Sequence, residues 1–330
     1  MAAWPAPTFL DLPDLRMAVY EQGDGVPVVL CHGWPELAFS WRHQMAPLAA
    51  AGMRVIAPDQ RGYGRTGKPL SDRGGKEHVP LYDMQHLCDD LAHLLDALKL
   101  EQAVFVGHDW GGLVIWQMPF YHPERVRGLI GVNTPFIPRL TQDPIAAMRA
   151  AMGEEMYIVA FQEYGAAEKK LDADVARALR FLYRQRGSGG GTAPPPADKR
   201  WEVFAFLELL DTDEASWPGE ELLAKEEFEV YREAFARTGF RGGINWYRNM
   251  SRNWQASASF PTQIHHPSLM ISAADDRVLS PDMAKGMDKY VTDLESHVIA
   301  DCGHWTQAEQ PEALNRLIID WVTRRFLGGA

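Results

Sequence analysis

An aspartate set among small residues is the first sign of chemistry in this chain. The stretch reads Val104-Phe105-Val106-Gly107-His108-Asp109-Trp110-Gly111-Gly112. Its apolar run, rich in β-branched and aromatic residues, predicts a buried strand. Leu113-Val114-Ile115-Trp116 then opens a segment that can continue as a helix. Small-x-nucleophile-x-small-small is the pattern of a nucleophile elbow, where larger neighbours would clash as the backbone closes on itself. The same residues also fit a buried Asp that caps the following helix. Distant residues must decide between the two readings.

A nucleophile at an elbow needs a base, and the base needs an acid to orient it. In folds with this elbow the chain order is nucleophile, acid, histidine. Downstream, Ser268-Leu269-Met270-Ile271-Ser272 predicts a strand that runs into Ala273-Ala274-Asp275-Asp276-Arg277-Val278. Carboxylates at the C-terminal end of a parallel strand lie on the edge where active sites form. Asp275 and Asp276 both qualify as the acid. The strand 296–299 is followed by Asp301-Cys302-Gly303-His304-Trp305-Thr306, which makes His304 the base. His32-Gly33-Trp34-Pro35 follows an earlier strand, and the N–H groups of Trp34 and Trp110 are expected to form an oxyanion site above Asp109. His32 reads as a structural hydrogen-bonding residue. Cys302 has no elbow and no oxyanion site, so it is not the nucleophile. The pair His265-His266 lacks further ligands and reads as part of a loop.

An aspartate nucleophile narrows the chemistry. Attack on an ester would give an anhydride, whereas attack on an electrophilic sp³ carbon gives an alkyl ester of the enzyme. Water activated by His304 would then cleave that ester. Epoxides and alkyl halides suit this route, and they differ in leaving group. An epoxide oxygen needs a proton or a strong donor; a halide needs only weak N–H donors. Two tyrosines could supply the acid: Tyr157 in Glu155-Met156-Tyr157-Ile158 and Tyr247 in Asn245-Trp246-Tyr247-Arg248. Spacing alone favours a buried structural role for each.

The elements that must hold these residues follow the pattern of an α/β fold. Residues 8–22 predict an antiparallel edge hairpin, and 26–30 and 54–59 predict strands. Residues 39–51 and 82–98 have helical spacing; the latter puts Met84, Leu87, Leu91, Leu94, Leu95 and Leu98 on one face. A further strand is expected at 126–132. Strands alternating with helices over short links imply a mostly parallel central sheet flanked by helices. Pro119 should shorten or bend the helix after the elbow. From 136 to 254 no strand signal appears, and helical patterns dominate at 173–186 and 220–238. Gly187-Ser188-Gly189-Gly190-Gly191 and Pro194-Pro195-Pro196 predict a flexible loop there. The alternation returns with the strand 268–272, a helix near 281–287 and a terminal helix at 311–326. The expected organisation is a core of residues 1–136 and 255–330 interrupted by a helical cap at 137–254.

The 330 residues are 46% hydrophobic, enough for a sizeable core. A net charge of -11 argues against nucleic acid or an anionic membrane as partner. No apolar run is long enough to span a bilayer, and the start Met1-Ala2-Ala3-Trp4-Pro5 carries no signal-peptide pattern. Cys31, Cys88 and Cys302 are scattered and odd in number, which predicts free thiols in a reducing cytoplasm.

The sequence resembles the epoxide hydrolases of the α/β-hydrolase fold, the group that includes the hydrolase domain of the soluble mammalian enzyme. The resemblance rests on His32-Gly33-Trp34-Pro35, the elbow at 107–112, Asn133-Thr134-Pro135-Phe136-Ile137-Pro138, Asn245-Trp246-Tyr247-Arg248-Asn249-Met250 and Asp301-Cys302-Gly303-His304-Trp305-Thr306-Gln307. These motifs span nearly the whole chain. The resemblance implies Asp109 as nucleophile, His304 as base, Asp276 as its acid, and Tyr157 and Tyr247 as the ring-opening pair. Tyr164 stands where the family usually has Pro. Haloalkane dehalogenases share the Asp-Trp elbow but usually carry Asn where Trp34 stands and lack the tyrosine pair. Fluoroacetate dehalogenases place Arg after the nucleophile, where this chain has Trp110. A silent binding protein on the same fold would not need the full set. The expected activity is therefore hydrolysis of small apolar epoxides by water, with no metal or organic cofactor. The substrate pocket is expected between core and cap, lined by Trp110, Phe136, Phe161 and Trp246. A homodimer is among the assemblies the sequence allows.

Overall fold

Alternation of apolar side chains builds the sheet. The structure, a computed structural model, describes residues 4–185 and 204–328. Two antiparallel strands, β1 (Thr8–Asp11) and β2 (Arg16–Gln22), form the expected edge hairpin. The parallel strands begin with β3 (Val26–Cys31), β4 (Met53–Pro58), β5 (Ala103–His108) and β6 (Val126–Val132). The chain then leaves the sheet. In that excursion β7 (Arg184–Gln185) pairs antiparallel with β8 (Glu220–Glu221), two short strands that sequence periodicity is too weak to reveal. The sheet resumes with β9 (Ser268–Ala273) and β10 (Leu294–Ile299). Its eight strands run in the order β1-β2-β4-β3-β5-β6-β9-β10, parallel from β4 to β10. This is the mostly parallel α/β sheet expected.

Successive strand residues face opposite sides. Val28, Leu30, Val104, Val106, Ile130 and Val132 pack with Leu314, Ile318 and Trp321 of the helix Pro311–Val322. Val29, Phe105, Leu129 and Met270 face the other layer, where Leu87, Leu91 and Leu95 of the helix Met84–Ala97 meet Val114, Ile115 and Met118 of the helix Trp110–Tyr121. The sheet is thus covered on both faces. Pro119 lies inside the last turn of the helix after the elbow, which ends two residues later.

Several helices are shorter than periodicity predicts, each for a local reason. The stretch 39–51 divides into a 3₁₀ turn, Ala38–Trp41, and the helix Met45–Ala50, whose Pro47 sits in the first turn where its missing N–H costs nothing. The helix expected over 220–238 starts only at Lys225, because Glu227 accepts the Ala224 N–H at 3.1 Å and closes the N-terminus there. The pattern at 173–186 gives the helix Val175–Leu182. Near 281–287, Gly286 at φ +79° separates two 3₁₀ turns, Pro281–Ala284 and Met287–Lys289, instead of one helix. The glycine- and proline-rich stretch 187–196 lies outside the described residues. Among those described, no helix is long and apolar enough to cross a membrane. All three cysteines are free thiols and buried.

The helices between β6 and β9 lie over the sheet and are tied to it by polar contacts. Tyr183 donates to the Pro35 carbonyl at 2.9 Å, Trp246 Nε1 donates to the Arg61 carbonyl at 3.1 Å, and Arg42 pairs with Glu227 at 2.6 Å.

Candidate active site

Asp109 stands at the end of β5 with φ +49° and ψ -121°. A non-glycine residue in this region costs about 1–3 kcal/mol and persists only where its surroundings enforce it. Here the surroundings are tight. A Cβ at Gly107 would lie 2.3 Å from the Gly111 carbonyl oxygen, and one at Gly111 would lie 2.1 Å from that of Cys31. The small residues therefore let β5, the turn and the β3 loop approach each other. Gly33 faces the carboxylate directly, since a Cβ there would sit 2.4 Å from Asp109 Oδ1.

The absent side chain at Gly33 lets the backbone reach the carboxylate. Trp34 N–H donates to Asp109 Oδ1 at 2.7 Å, and the Trp110 N–H lies close enough to favour the charged carboxylate. The Trp34–Pro35 peptide is cis. Thr134 Oγ1 donates to the Asp109 carbonyl at 2.8 Å and braces the turn from β6. Both N–H groups expected to form the oxyanion site thus converge on Asp109.

His304 and Asp276 arrive on the loops after β10 and β9. His304 Nδ1 lies 2.9 Å from Asp276 Oδ2, and its Nε2 lies 3.9 Å from Asp109 Oδ2. Asp276, not Asp275, faces the imidazole. Its Oδ1 accepts the N–H groups of Val278 and Leu279 at 2.8 and 2.9 Å, while Asn133 Nδ2 donates to Oδ2 at 2.7 Å. Burial opposes ionisation of Asp276, yet the His304 charge and these bonds hold its carboxyl well below the ordinary carboxylate range. Burial favours neutral His304. The charge of Asp276 and its hydrogen bond, followed by the charge of Asp109, outweigh burial and raise the imidazole to about 9. Asp109 itself is raised by burial, against the pull of His304.

Tyr157 and Tyr247 face the same cavity as Asp109 and His304. Their rings are 5.7 Å apart, and the Trp110 ring packs edge-on against Tyr247 at 4.9 Å. Burial, with the Asp109 charge adding to it, pushes the Tyr157 phenol well above its ordinary value. Burial and then the neighbouring Tyr157 and Asp109 do the same to Tyr247. Both phenols therefore keep their protons at any working pH and can donate them.

The cavity holds about 100 Å³, and its apolar wall differs from the one expected. Phe181, Leu182, Phe206, Val278 and Trp305 line it, beside Trp34 and the two tyrosines, with Arg184, Asp275 and Arg277 also on its wall. Phe136, Phe161 and Trp246 are not on that wall. Phe136 packs on Trp116, Phe120 and Tyr290. Phe161 is fully buried behind Trp34, Tyr157 and Tyr247, and Trp246 is held against Tyr63 and Trp110. The Trp110 ring likewise packs on Trp246 and Tyr247. Spacing identifies which aromatic residues are buried but not which of them reach the void.

Four supporting residues sit in the quoted motifs or directly beside them without a role legible there. Asn133, at φ +62°, also approaches the carbonyls of Gly303 and His304, and accepts from Thr306 Oγ1 at 2.7 Å. His108 is fully buried, with Nδ1 2.8 Å from Glu36 Oε2 and Nε2 2.7 Å from the His304 carbonyl. Glu36 in turn accepts the Gly33 N–H at 2.6 Å and Gln307 Nε2 at 2.6 Å. One buried network thus joins the loop after β3 to the His304 loop. The signal that could have found it is an acidic residue directly after one apolar strand-and-turn motif and a histidine inside another. His32 is structural, as expected: its Nε2 accepts the Gln60 N–H at 3.0 Å. His265 and His266 bond Thr292 and the Pro123 carbonyl.

Comparison with known proteins agrees with this architecture. Residues 26–167 match the family described as alpha/beta hydrolase fold. The chain is 38% identical to epoxide hydrolase A of Mycobacterium tuberculosis over 97% of this chain and 98% of that protein. It is also 38% identical to bifunctional epoxide hydrolase 2 of Mus musculus, over 94% of this chain but 54% of the relative, so it spans about half the length of that protein. The crystal structure of epoxide hydrolase A from Mycobacterium thermoresistibile superposes with a TM-score of 0.83 at 36% identity, covering 96% of this chain and 98% of the other. An epoxide hydrolase from an endophytic Streptomyces gives 0.84 at 32% identity, covering 96% and 95%. Full-length similarity on this scale, over a sheet and elbow of this form, makes the chain a member of the epoxide hydrolase family of the α/β-hydrolase fold.

Proposed function

We propose that this protein hydrolyses small apolar epoxides to vicinal diols through an alkyl ester on Asp109. The observation that carries the reading is the meeting, on one cavity, of an elbow carboxylate, a histidine–aspartate pair and two protonated phenols. Asp109 Oδ1 stays in the N–H cradle of Trp34 and Trp110, and Oδ2 attacks an epoxide carbon. As the C–O bond breaks, the ring oxygen takes a proton from Tyr157 or Tyr247. The product of this step is an ester of Asp109 bearing the hydroxyalkyl group.

His304 then accepts a proton from water, and that water attacks the ester carbonyl carbon. The resulting oxyanion is Oδ1, which already accepts the Trp34 N–H and which the Trp110 N–H would stabilise with it. Collapse breaks the bond between the ester carbonyl carbon and the alkyl oxygen, which takes the proton from the His304 imidazolium; the proton left on the Asp109 acid returns to the tyrosinate, restoring carboxylate, imidazole and phenol. Asp276 orients the imidazole and balances its charge. Esterification itself prepares His304 for this step. While Asp109 is ionised, its charge raises the imidazole; once it is an ester, that charge is gone and His304 releases its proton more readily. Residues 137–254 act as the cap that brings the phenols to the cavity and excludes water.

Dehalogenation is the rival chemistry. Trp34 contributes its backbone N–H here, and both phenols suit a leaving alkoxide better than a halide. Side-by-side assays on an aryl epoxide and a haloalkane separate the two. The expected outcome is diol without halide. Halide release with no diol from the epoxide overturns the proposal.

A further inference from the structure

We infer that Gln162, together with Arg248, is the positioning device that sets the spacing of the two phenols for ring opening. The inference rests on the reading of Tyr157 and Tyr247 as proton donors. The tyrosines come from separate elements. Tyr247 belongs to the helix Arg241–Arg248, whereas Tyr157 opens the single turn Tyr157–Ala160. One turn is closed by too few hydrogen bonds to be rigid by itself. Something outside it must fix where the Tyr157 phenol points.

The Gln162 carboxamide does this directly. Its Nε2 donates to the Ile158 carbonyl at 2.8 Å and to the Tyr247 carbonyl at 3.2 Å. One amide group therefore spans the backbones that carry the two phenols. Both partners are carbonyl oxygens, so only the NH₂ side of the amide can face them. Arg248 makes the reciprocal tie. Its Nε donates to the Phe161 carbonyl at 2.8 Å, and a terminal nitrogen donates to the Glu163 carbonyl at 3.0 Å. The guanidinium is nearly buried, 4% exposed, and paired with the Glu168 carboxylate from the following helix, Ala166–Leu171. Its forked donors reach two carbonyls of the 161–163 turn while the charge is balanced, a geometry a lysine cannot reproduce. The Tyr164 ring lies beneath the guanidinium, 4.8 Å from it, and the Tyr164 hydroxyl accepts the Gly75 N–H at 3.0 Å. The turn bearing Tyr157 is thereby fixed to the Tyr247 helix and to the core.

A misplacement of about 1 Å in a reacting group can cost roughly 100-fold in rate. The test is single-turnover kinetics on an aryl epoxide, with formation and hydrolysis of the alkyl-enzyme measured separately. Gln162→Met keeps the length of the side chain and removes its donors. Ring opening should slow by about tenfold or more, while hydrolysis of the isolated ester keeps its rate and pH profile. Combined with Tyr157→Phe, the same substitution should add little further loss, because the phenols are already uncoupled. If Gln162→Met does not fold, Arg248→Lys keeps the charge beside Glu168, loses the fork, and should give the same selective loss. Equal slowing of both steps would mark a general structural role and overturn the inference. Unchanged ring opening in a folded variant, while Tyr157→Phe and Tyr247→Phe are each impaired, overturns the clamp and leaves the phenol reading standing. Unchanged ring opening in both tyrosine variants overturns the phenol reading, and the clamp with it.

Discussion

His304 Nε2 lies 3.9 Å from Asp109 Oδ2, too far for a hydrogen bond and close enough for strong charge coupling. In the proposed mechanism this coupling gives the two halves of the reaction opposite needs. A positive His304 favours the ionised nucleophile, whereas a neutral His304 is required to activate water.

The two steps should therefore differ in pH dependence. Hydrolysis of the isolated alkyl-enzyme should slow as pH falls through the His304 pKa, because protonation removes the base. That apparent pKa should lie below the value of about 9 reached with Asp109 ionised, since the ester no longer carries the charge that raises it. Rapid-quench measurement of ester decay across pH checks this. Decay that does not change with pH would count against His304 as the base.

The phenols predict a different kinetic pattern. Tyr157 and Tyr247 line one cavity with their rings 5.7 Å apart, so each can partly serve alone. Replacing both with Phe should slow ring opening far more than either single change, while ester hydrolysis persists. General acids contribute typically about 10²–10⁴-fold, which sets the scale for the double variant. Stopped-flow measurement of alkyl-enzyme formation reads it.

Asn133 links Asp276 to the His304 loop. Asn133→Ala removes a donor to the buried Asp276 carboxylate and the nearer acceptor of Thr306 Oγ1, leaving that hydroxyl the Gly303 carbonyl at 3.3 Å. A buried group left unsatisfied costs about 1–3 kcal/mol. The variant should lose stability on that scale and slow ester hydrolysis more than ring opening. Thermal melts with single-turnover kinetics test both parts.

The elbow makes a purely steric prediction. A methyl at Gly111 would collide with the Cys31 carbonyl, a backbone atom that no rotamer change can move aside. Gly111→Ala should cost about 1–3 kcal/mol or more, as overpacking does, and displace the oxyanion loop. A lower melting temperature accompanied by loss of both kinetic steps is expected. An unchanged melt and activity would contradict the close approach of β3 and the elbow.

How much could be read in advance depended on how local the physical cause was. Asp109 and its glycines were legible because the turn imposes its requirement on adjacent residues. His304 was legible, and the acid to within the pair Asp275 and Asp276, because these follow strands whose apolar runs place them at one edge of a parallel sheet; only the family resemblance pointed to Asp276. The wall of the cavity was not. Phe136, Phe161 and Trp246 share the character of Phe181, Phe206 and Trp305, and only the packing of distant segments decides which rings face the void. The same holds for Glu36, His108 and Gln307, whose meeting joins three loops far apart in the chain. Helix ends at Lys225 and Gly286 differed from periodicity because capping contacts and a left-handed glycine stop helices that the apolar pattern alone would continue.

The central claim is that Asp109 becomes covalently bound to substrate. A single turnover in ¹⁸O-water, with enzyme in excess over an epoxide, tests it most directly. The account predicts that the first diol carries unlabelled oxygen from Asp109 Oδ2, and that the label appears in the enzyme carboxylate. Solvent ¹⁸O in the diol of that first turnover would contradict it.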